Sequence, residues 1–566
     1  MPNKADLKDS NPPSIPTNGS VHRKVRWIDI KESATGCLFI APAVIIISVF
    51  GIFPIAFAAY VSLFQWRINP GKYIGLDNYT KAISNLAYVI AFWLAMLLIF
   101  FFITELKKFI KTSNETKENS WVWFFPAVLL TAGITQFIRF AVLLLPEILS
   151  ISSKVRGQVR TQELFIKLLG EAWQTPSVQA ALKSSLLILI ISLILAYMIG
   201  RYISKSTRNV SFLVSGIMIV SYLGLAGLLI WYTWSQIQKA YTNAIAENQQ
   251  LDIWSQIITI SAGFVLLYLS WLFWRNAGKQ NSNLKTIFWI IASSSLAIGA
   301  WALIGELPRV INSSDSDWWE SLLVTVYYSV GTVPIQLAIS IVLAALLFQN
   351  IKGKSLFRLI YFLPYITPAV ATAAVFKVFF SARPSAPINN LIQLLGGKPL
   401  LWLSEPKGIV QLIFGNLEIP TWLAGPSLAL IVVIIYNIWS YVGYDVVIFL
   451  AGLGNIPGEL YEAASIDGAN RSAQFRHITL PLLSPTTYFL TLLSVIGTFK
   501  AFNHVWVLRN GAALGTMDTA TIVIFTEFSR NTLYGYSAAL SIVLLGIILV
   551  LTIVNNRIAE KRVFYG

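Results

Sequence analysis

Two ionisable side chains stand inside runs that are otherwise apolar: Asp445 in YNIWSYVGYDVVIFLAGL and Lys500 in TFKAFNHVWVL. Holding such a group in hydrocarbon costs about 2.5 kcal/mol or more on insertion scales, so each needs a task or a partner. Around them Asn437, Tyr441, Tyr444 and Asn503 supply amide and hydroxyl groups, while Trp439 and Phe499 supply flat rings. The set suits a central water-filled path, with the polar groups hydrogen-bonding a solute and the rings available to stack on it. A plainer arrangement stands beside it: an ion pair between helices, or Lys500 snorkelling, with the aromatics as packing or interface belt.

Other chemistry finds no support. Gly353, Lys354 and Ser355 spell the end of a phosphate-binding loop, but the glycine required five positions before Gly353 is Phe348. His22, His477 and His504 lack metal-like spacing and a carboxylate partner, so no metal site is expected. Neither a nucleophile elbow nor a zinc-protease helix occurs. The chain reads as no enzyme and as binding no cofactor itself.

Elements must hold these residues. Hydrophobic residues make up 56% of the chain and charged residues 12%, with a mean hydropathy of +0.66, too apolar for the surface of a soluble protein of 63.0 kDa. Lipid offers no partner to an open backbone N–H or C=O, so the chain must cross as helices of about 20 residues. Twelve candidates are readable: 35 to 64, 86 to 104, 121 to 145, 184 to 200, 210 to 234, 254 to 274, 286 to 305, 322 to 348, 359 to 380, 427 to 452, 484 to 508 and 536 to 556. The fold class is an all-α polytopic membrane protein.

Lys and Arg outnumber Asp and Glu by 42 to 26, yet they fall in short connectors rather than one patch, which excludes a nucleic-acid face and fits the positive-inside bias. With the N-terminus cytoplasmic, inner connectors carry Lys107, Lys108, Lys111 and Lys117, then Arg201, Lys205 and Arg208, then Arg275, Lys279 and Lys285, then Lys352, Lys354 and Arg358. The outer connector 306 to 321 is acidic through Glu306, Asp315, Asp317 and Glu320, whereas 146 to 183 objects with Lys154, Arg156, Arg160, Lys167 and Lys183. Residues 1 to 33 read as a disordered cytoplasmic tail before an uncleaved anchor. Cys37 is the sole cysteine and fixes no redox compartment.

On this map residues 453 to 483 face the cytoplasm, and EAASIDGANRSAQFRHITLPLLSP at 462 to 485 forms a polar cassette between apolar runs. Pro457 starts a short helix with Leu460, Ala463 and Ala464 on one face; Gly468 is suited to a left-handed stop, and a second piece with Phe475 and Ile478 runs until Pro481. The alanines leave no bulk, so another surface can approach the backbone.

The cassette resembles the EAA signature of ABC importer permeases, with Glu462, Ala463, Ala464, Asp467, Gly468, Ala469, Phe475, Leu480, Pro481 and Pro485 at matching places. GLDNY at 75 to 79, VPIQLAISIVLAALLFQ at 333 to 349, LFRLIYFLPYITPAV at 356 to 370 and IFLAGLGNIPGELYEAA at 448 to 464 are similar to carbohydrate-type permeases of the maltose-transporter kind. RNGAALGT at 509 to 516 departs from the Gly-Gly-Pro turn such permeases often show. The resemblance implies a type I permease core of six spans, and a coupling helix around Glu462 to Asp467 that docks on a separate ATP-hydrolysing subunit. It also implies two ATPase copies carrying ATP-Mg, a second permease in a heterodimer, an extracytoplasmic solute-binding protein, and the cytoplasmic membrane of a bacterium or archaeon. The chain then divides into tail 1 to 33, first core helix and outer loop 34 to 85, an inserted region of about six spans at 86 to 318, and core 319 to 566. An even number of inserted crossings preserves the orientation downstream.

The implied function is import of a sugar or related polyol by alternating access. Because the cassette is shared across cargo classes, an amine, phosphate ester or peptide stays open as cargo. From another class, a membrane enzyme or scaffold that works through 86 to 318 also stays open.

Overall fold

A computed structural model of the chain describes residues 27–116, 120–155, 161–203, 209–246, 252–279, 283–305, 314–349, 352–415 and 423–562. The tail before residue 27, and the connector residues Lys117, Arg156, Arg160, Lys205, Arg208 and Glu306, lie outside them. The described residues are predominantly helical and carry only two isolated bridges, Phe64 with Tyr73 and Gly408 with Ser427. Among the described residues ten helices are long and apolar enough to cross a membrane, and two further helix pairs, each bent at a break, bring the number to twelve.

In chain order the elements are α1 Leu38–Val61, α2 Asp77–Ile83, α3 Leu86–Thr116, α4 Phe124–Lys154, α5 Gln162–Gln174, α6 Pro176–Met198, α7 Asn209–Ala246, α8 Ile253–Ala277 and α9 Asn283–Ile304. After them come α10 Ser316–Phe348, α11 Lys354–Ile366, α12 Ala369–Phe379, α13 Pro387–Leu394, α14 Ile409–Phe414, α15 Leu428–Gly454, α16 Gly458–Ile466, α17 Arg471–Leu482, α18 Ser484–Phe499, α19 Asn503–Leu508, α20 Ala520–Ser529 and α21 Tyr534–Arg562. Each of the twelve apolar runs corresponds to one of these spans or bent pairs.

Two spans are not the straight helices expected. The run at 359 to 380 is broken between α11 and α12, which meet at 93°. Pro368 is the cause: it drives Thr367 into extended backbone, and the helix restarts beyond it. The run at 484 to 508 ends as a helix at Phe499, and α19 resumes after Lys500–Phe502. Nor does Pro481 stop its helix. A π turn over Phe475–Thr479 precedes it, the helix passes through Pro481, and the chain bends by 61° between α17 and α18.

The first half packs largely as antiparallel neighbours: α3 on α7, α4 on α6, and α8 on α9. In the second half α10 and α15 lie along each other and contribute to the central core, in which Tyr328, Leu430, Val433 and Tyr436 pack with Val505 and Leu508. Their starts are fixed by side-chain caps. Asp315 accepts from Trp318 N at 3.3 Å, and Ser427 from Leu430 N at 3.1 Å. α11 crosses α15 closely at Gly443, where a Cβ would stand 1.8 Å from the Tyr361 carbonyl oxygen. Only a residue without a side chain permits that crossing.

Gly443→Val should therefore cost about 1–3 kcal/mol or more in stability, read as a lowered melting temperature in detergent. Gly454→Ala, where an added Cβ meets nothing within 4 Å, should leave it near wild type. Equal melting temperatures for Gly443→Val and wild type would contradict the crossing.

Candidate substrate cavity and coupling knuckle

A cavity of ≈ 240 Å³ opens between α10, α15, α18 and the break before α19. On α15, Asn437, Tyr441, Tyr444 and Asp445 recur at spacings of four, three and one residues, so they share one helical face, and that face lines the cavity. Lys500 and Asn503 reach it from the opposite side, at the break where the helix opens. Six of the eight residues expected along a polar path thus meet in one space.

Trp439 and Phe499 do not join them. Trp439 lies two residues from Asn437, a rotation of about 200° around the helix. Its ring packs on Phe376 at 5.1 Å and is 42% exposed. Phe499 is buried on another side of α18, in a cluster with Trp318, Tyr536 and Leu540. Both pack against neighbouring side chains, and neither lines the cavity.

Asp445 is 1% exposed, yet it has a partner: Gln336 of α10 donates from Nε2 to Oδ2 at 2.7 Å. The other end of the same amide accepts from Asn437 Nδ2 at 3.1 Å. Gln336 therefore spans two helices with both ends satisfied, and it holds the carboxylate in the wall. Ser340 adds a second tie, donating to Gln336 O at 2.7 Å and to Val442 O at 3.3 Å. Among the described residues no ion pair joins Asp445 to Lys500, which disposes of the interhelical ion pair as the reason for these two charges.

Four polar side chains of the cavity lay outside the expected path: Gln336, Ser494, Thr498 and His504. Thr498 donates to Ser329 Oγ at 2.9 Å, tying α18 to α10. His504 Nε2 lies 2.8 Å from the Tyr328 hydroxyl, and its ring stacks on Tyr436 at 5.0 Å. Extending the search for amides beyond the runs that hold Asp445 and Lys500 would have found Gln336 in VPIQLAISIV. His504 carries no such signal, because the break that turns it inward is tertiary. Lys377, in the last turn of α12, is a capping group for another helix: its Nζ donates to Val507 O at 2.9 Å and Arg509 O at 3.1 Å, at the C-terminal end of α19.

The cassette folds as a helix, a corner and a helix. α16 starts after Pro457, and at its end Ala469 N donates to Ala464 O at 2.9 Å while Gly468 N donates to Ser465 O at 3.1 Å. Gly468 takes φ +81 to close this paired motif. Asn470 then caps α17 by accepting from Ala473 N at 2.8 Å. Gln474 Nε2 donates to Ser465 Oγ at 2.8 Å, and Tyr461 shares a 2.9 Å bond with Thr479, so the two helices are locked together. Glu462, Ala463, Asp467, Gly468 and Pro481 are exposed, whereas Ala464, Ala469 and Phe475 are half-buried. Ile466 is 86% exposed, an apolar side chain standing out from a polar turn.

A multi-pass helical membrane protein with a polar chamber between its spans and an ordered polar knuckle is the class these features define. The chain belongs to the binding-protein-dependent transport system inner membrane components, whose family description matches residues 336–564. It is 31% identical over 264 residues to the lactose transport system permease protein LacF of Rhizobium radiobacter, covering 46% of this chain and 80% of that one. It is also 32% identical over 255 residues to the sn-glycerol-3-phosphate transport system permease protein UgpA of Agrobacterium fabrum, covering 45% and 79%. The arabinooligosaccharides transport system permease protein AraP of Bacillus subtilis matches at 28% over 242 residues, covering 43% and 70%. The chain is a transport subunit of a membrane system, as its relatives are, and not an enzyme.

Replacing Gln336 by Leu strands both Asp445 and Asn437, and the loss should be about 1–3 kcal/mol, more if the carboxylate stays charged. Thermal unfolding of the purified variant checks this. A melting temperature equal to that of wild type would show that the bridge between α10 and α15 carries no energy.

Proposed function

We propose that the chain is the translocation subunit of an ATP-driven importer for a sugar or related polyol. The cavity carries this reading. Amide, hydroxyl and charged groups from four helices converge on a space of ≈ 240 Å³ inside a bundle whose outer surface is apolar. A hydroxyl-rich solute leaving water needs such replacement partners. The relatives' names point the same way, since lactose and arabinooligosaccharides are sugars.

Motion would enter at the knuckle. Two partner ATPases carrying ATP-Mg close on each other and move the docked α16. Because α16 follows α15 and is locked to α17, a rigid-body shift there tilts the helices that line the cavity, and access alternates between the two faces. A second permease and an extracytoplasmic solute-binding protein complete the assembly. Six spans, α1 with the last five spans or bent pairs, form the core, and residues 86 to 318 form a peripheral helical layer around it.

A phosphorylated polyol is the second reading. It is favoured by Lys500, which faces the cavity with no ion-pair partner among the described residues, and by the likeness to a glycerol-3-phosphate permease. Lys500→Gln separates the two, abolishing uptake of a phosphate ester and leaving uptake of a neutral sugar within a few-fold.

In proteoliposomes holding the full transporter, Asn437→Ala and Asp445→Ala should each lower sugar uptake at least tenfold, whereas Trp439→Ala should stay within about twofold, each lost hydrogen bond to a bound polar group being worth about 1–3 kcal/mol. Uptake unaffected by the first two changes removes the path. Ala464→Arg should weaken copurification of the ATPase by steric exclusion, and Gly468→Val should impair uptake without impairing membrane insertion, since a left-handed corner disfavours β-branched side chains. ATPase retained at wild-type level in Ala464→Arg, or normal uptake in Gly468→Val, would remove the knuckle from the mechanism.

A further inference from the structure

We propose that the polar end of α3 binds the headgroup of an anionic phospholipid, with an acyl chain laid along the same helix face. One side of α3 is committed to protein: Phe102, Leu106 and Phe109 pack in a cluster with Trp123 and Phe212. The opposite side is open, and at spacings of three and four residues it changes character once. Leu97, Phe100 and Ile103 are exposed and apolar, and the stripe then continues as Lys107, Lys111 and Asn114.

These last three, with Ile110 and Glu115, line a shallow open depression. The neighbouring Lys108 is already engaged, 3.3 Å from Glu105. Lys107 and Lys111 have no ion pair among the described residues. Two ammonium groups and an amide face one carboxylate, which leaves a single net positive charge in the depression. That balance complements one phosphodiester, whose oxygens the two ammoniums and the Asn114 amide can each meet with a donor.

The position along the helix fits a lipid rather than a free anion. An apolar track of exposed side chains leads straight into the cationic stretch, as an acyl chain leads into its headgroup. At the same end, Trp121 packs on Phe109 at 5.5 Å, and the nearby Tyr202 is 76% exposed. Aromatic rings of this kind mark the headgroup level of a bilayer. The residues lie outside 336–564, the segment matched by the transport family.

The test is native mass spectrometry of the purified full chain in detergent, titrated with phosphatidylglycerol or phosphatidylcholine. Wild type should retain phosphatidylglycerol in preference, and the preference should shrink as ionic strength rises. Lys107→Gln combined with Lys111→Gln should reduce phosphatidylglycerol retention by about fivefold per lysine, roughly 25-fold together. Lys107→Arg with Lys111→Arg should preserve it, and so guards against a folding defect. Equal retention of the two lipids by wild type, or undiminished phosphatidylglycerol on the double glutamine variant, would overturn the site. Displacement of the lipid by an equal concentration of inorganic phosphate would also overturn it, because the acyl track would then contribute nothing.

Discussion

Everything at the centre of this protein depends on how a carboxylate is kept in a wall made of apolar helices. Asp445 has no water-facing surface of its own to speak of, and removing a charge from water without a partner is prohibitive. Gln336 resolves this by donating to the carboxylate and accepting from Asn437 with a single amide. The same bridge fixes the register of α10 against α15, so the polar lining and the packing of the two helices are one arrangement. A side chain that is buried for stability is thereby also held ready beside an open space.

The chamber exists because one helix fails to continue. α18 stops at Phe499, Lys500–Phe502 are non-helical, and α19 restarts with Asn503 and His504 facing the gap. Interrupted helices are tolerated in a membrane only where protein or a water-lined cavity satisfies the freed backbone groups. Here Ala501 O accepts from Thr519 and Thr521 hydroxyls, which supply that compensation. A proposed path and a broken span therefore imply each other physically. The knuckle at Gly468 follows a similar logic at the surface, where paired backbone bonds close α16 and leave its outer face bare.

Much of this was legible in the sequence, for identifiable reasons. Membrane spans are set by length and apolarity alone, so all twelve runs corresponded to helices or bent pairs. Asn437, Tyr441, Tyr444 and Asp445 came together because helical periodicity alone puts them on one face, and the same periodicity excludes Trp439. The left-handed corner followed from a glycine placed after a short helix. What could not be read were features settled by tertiary packing: the 93° break at Pro368, the passage of a helix through Pro481, and the inward turn of His504. Proline marks a change of backbone, but whether that change is a stop, a bend or a π turn depends on what packs against it.

The central claim is that one polar chamber is reached from opposite faces of the membrane in turn. Cys37 is the only native cysteine, so Asn437→Cys in a Cys37→Ser background gives a single reporter inside the cavity. With a membrane-impermeant thiol reagent applied to either face of proteoliposomes, the account predicts labelling from one face in the nucleotide-free transporter and from the other when ATP hydrolysis is trapped. Labelling from the same face in both states, or from neither, would contradict it.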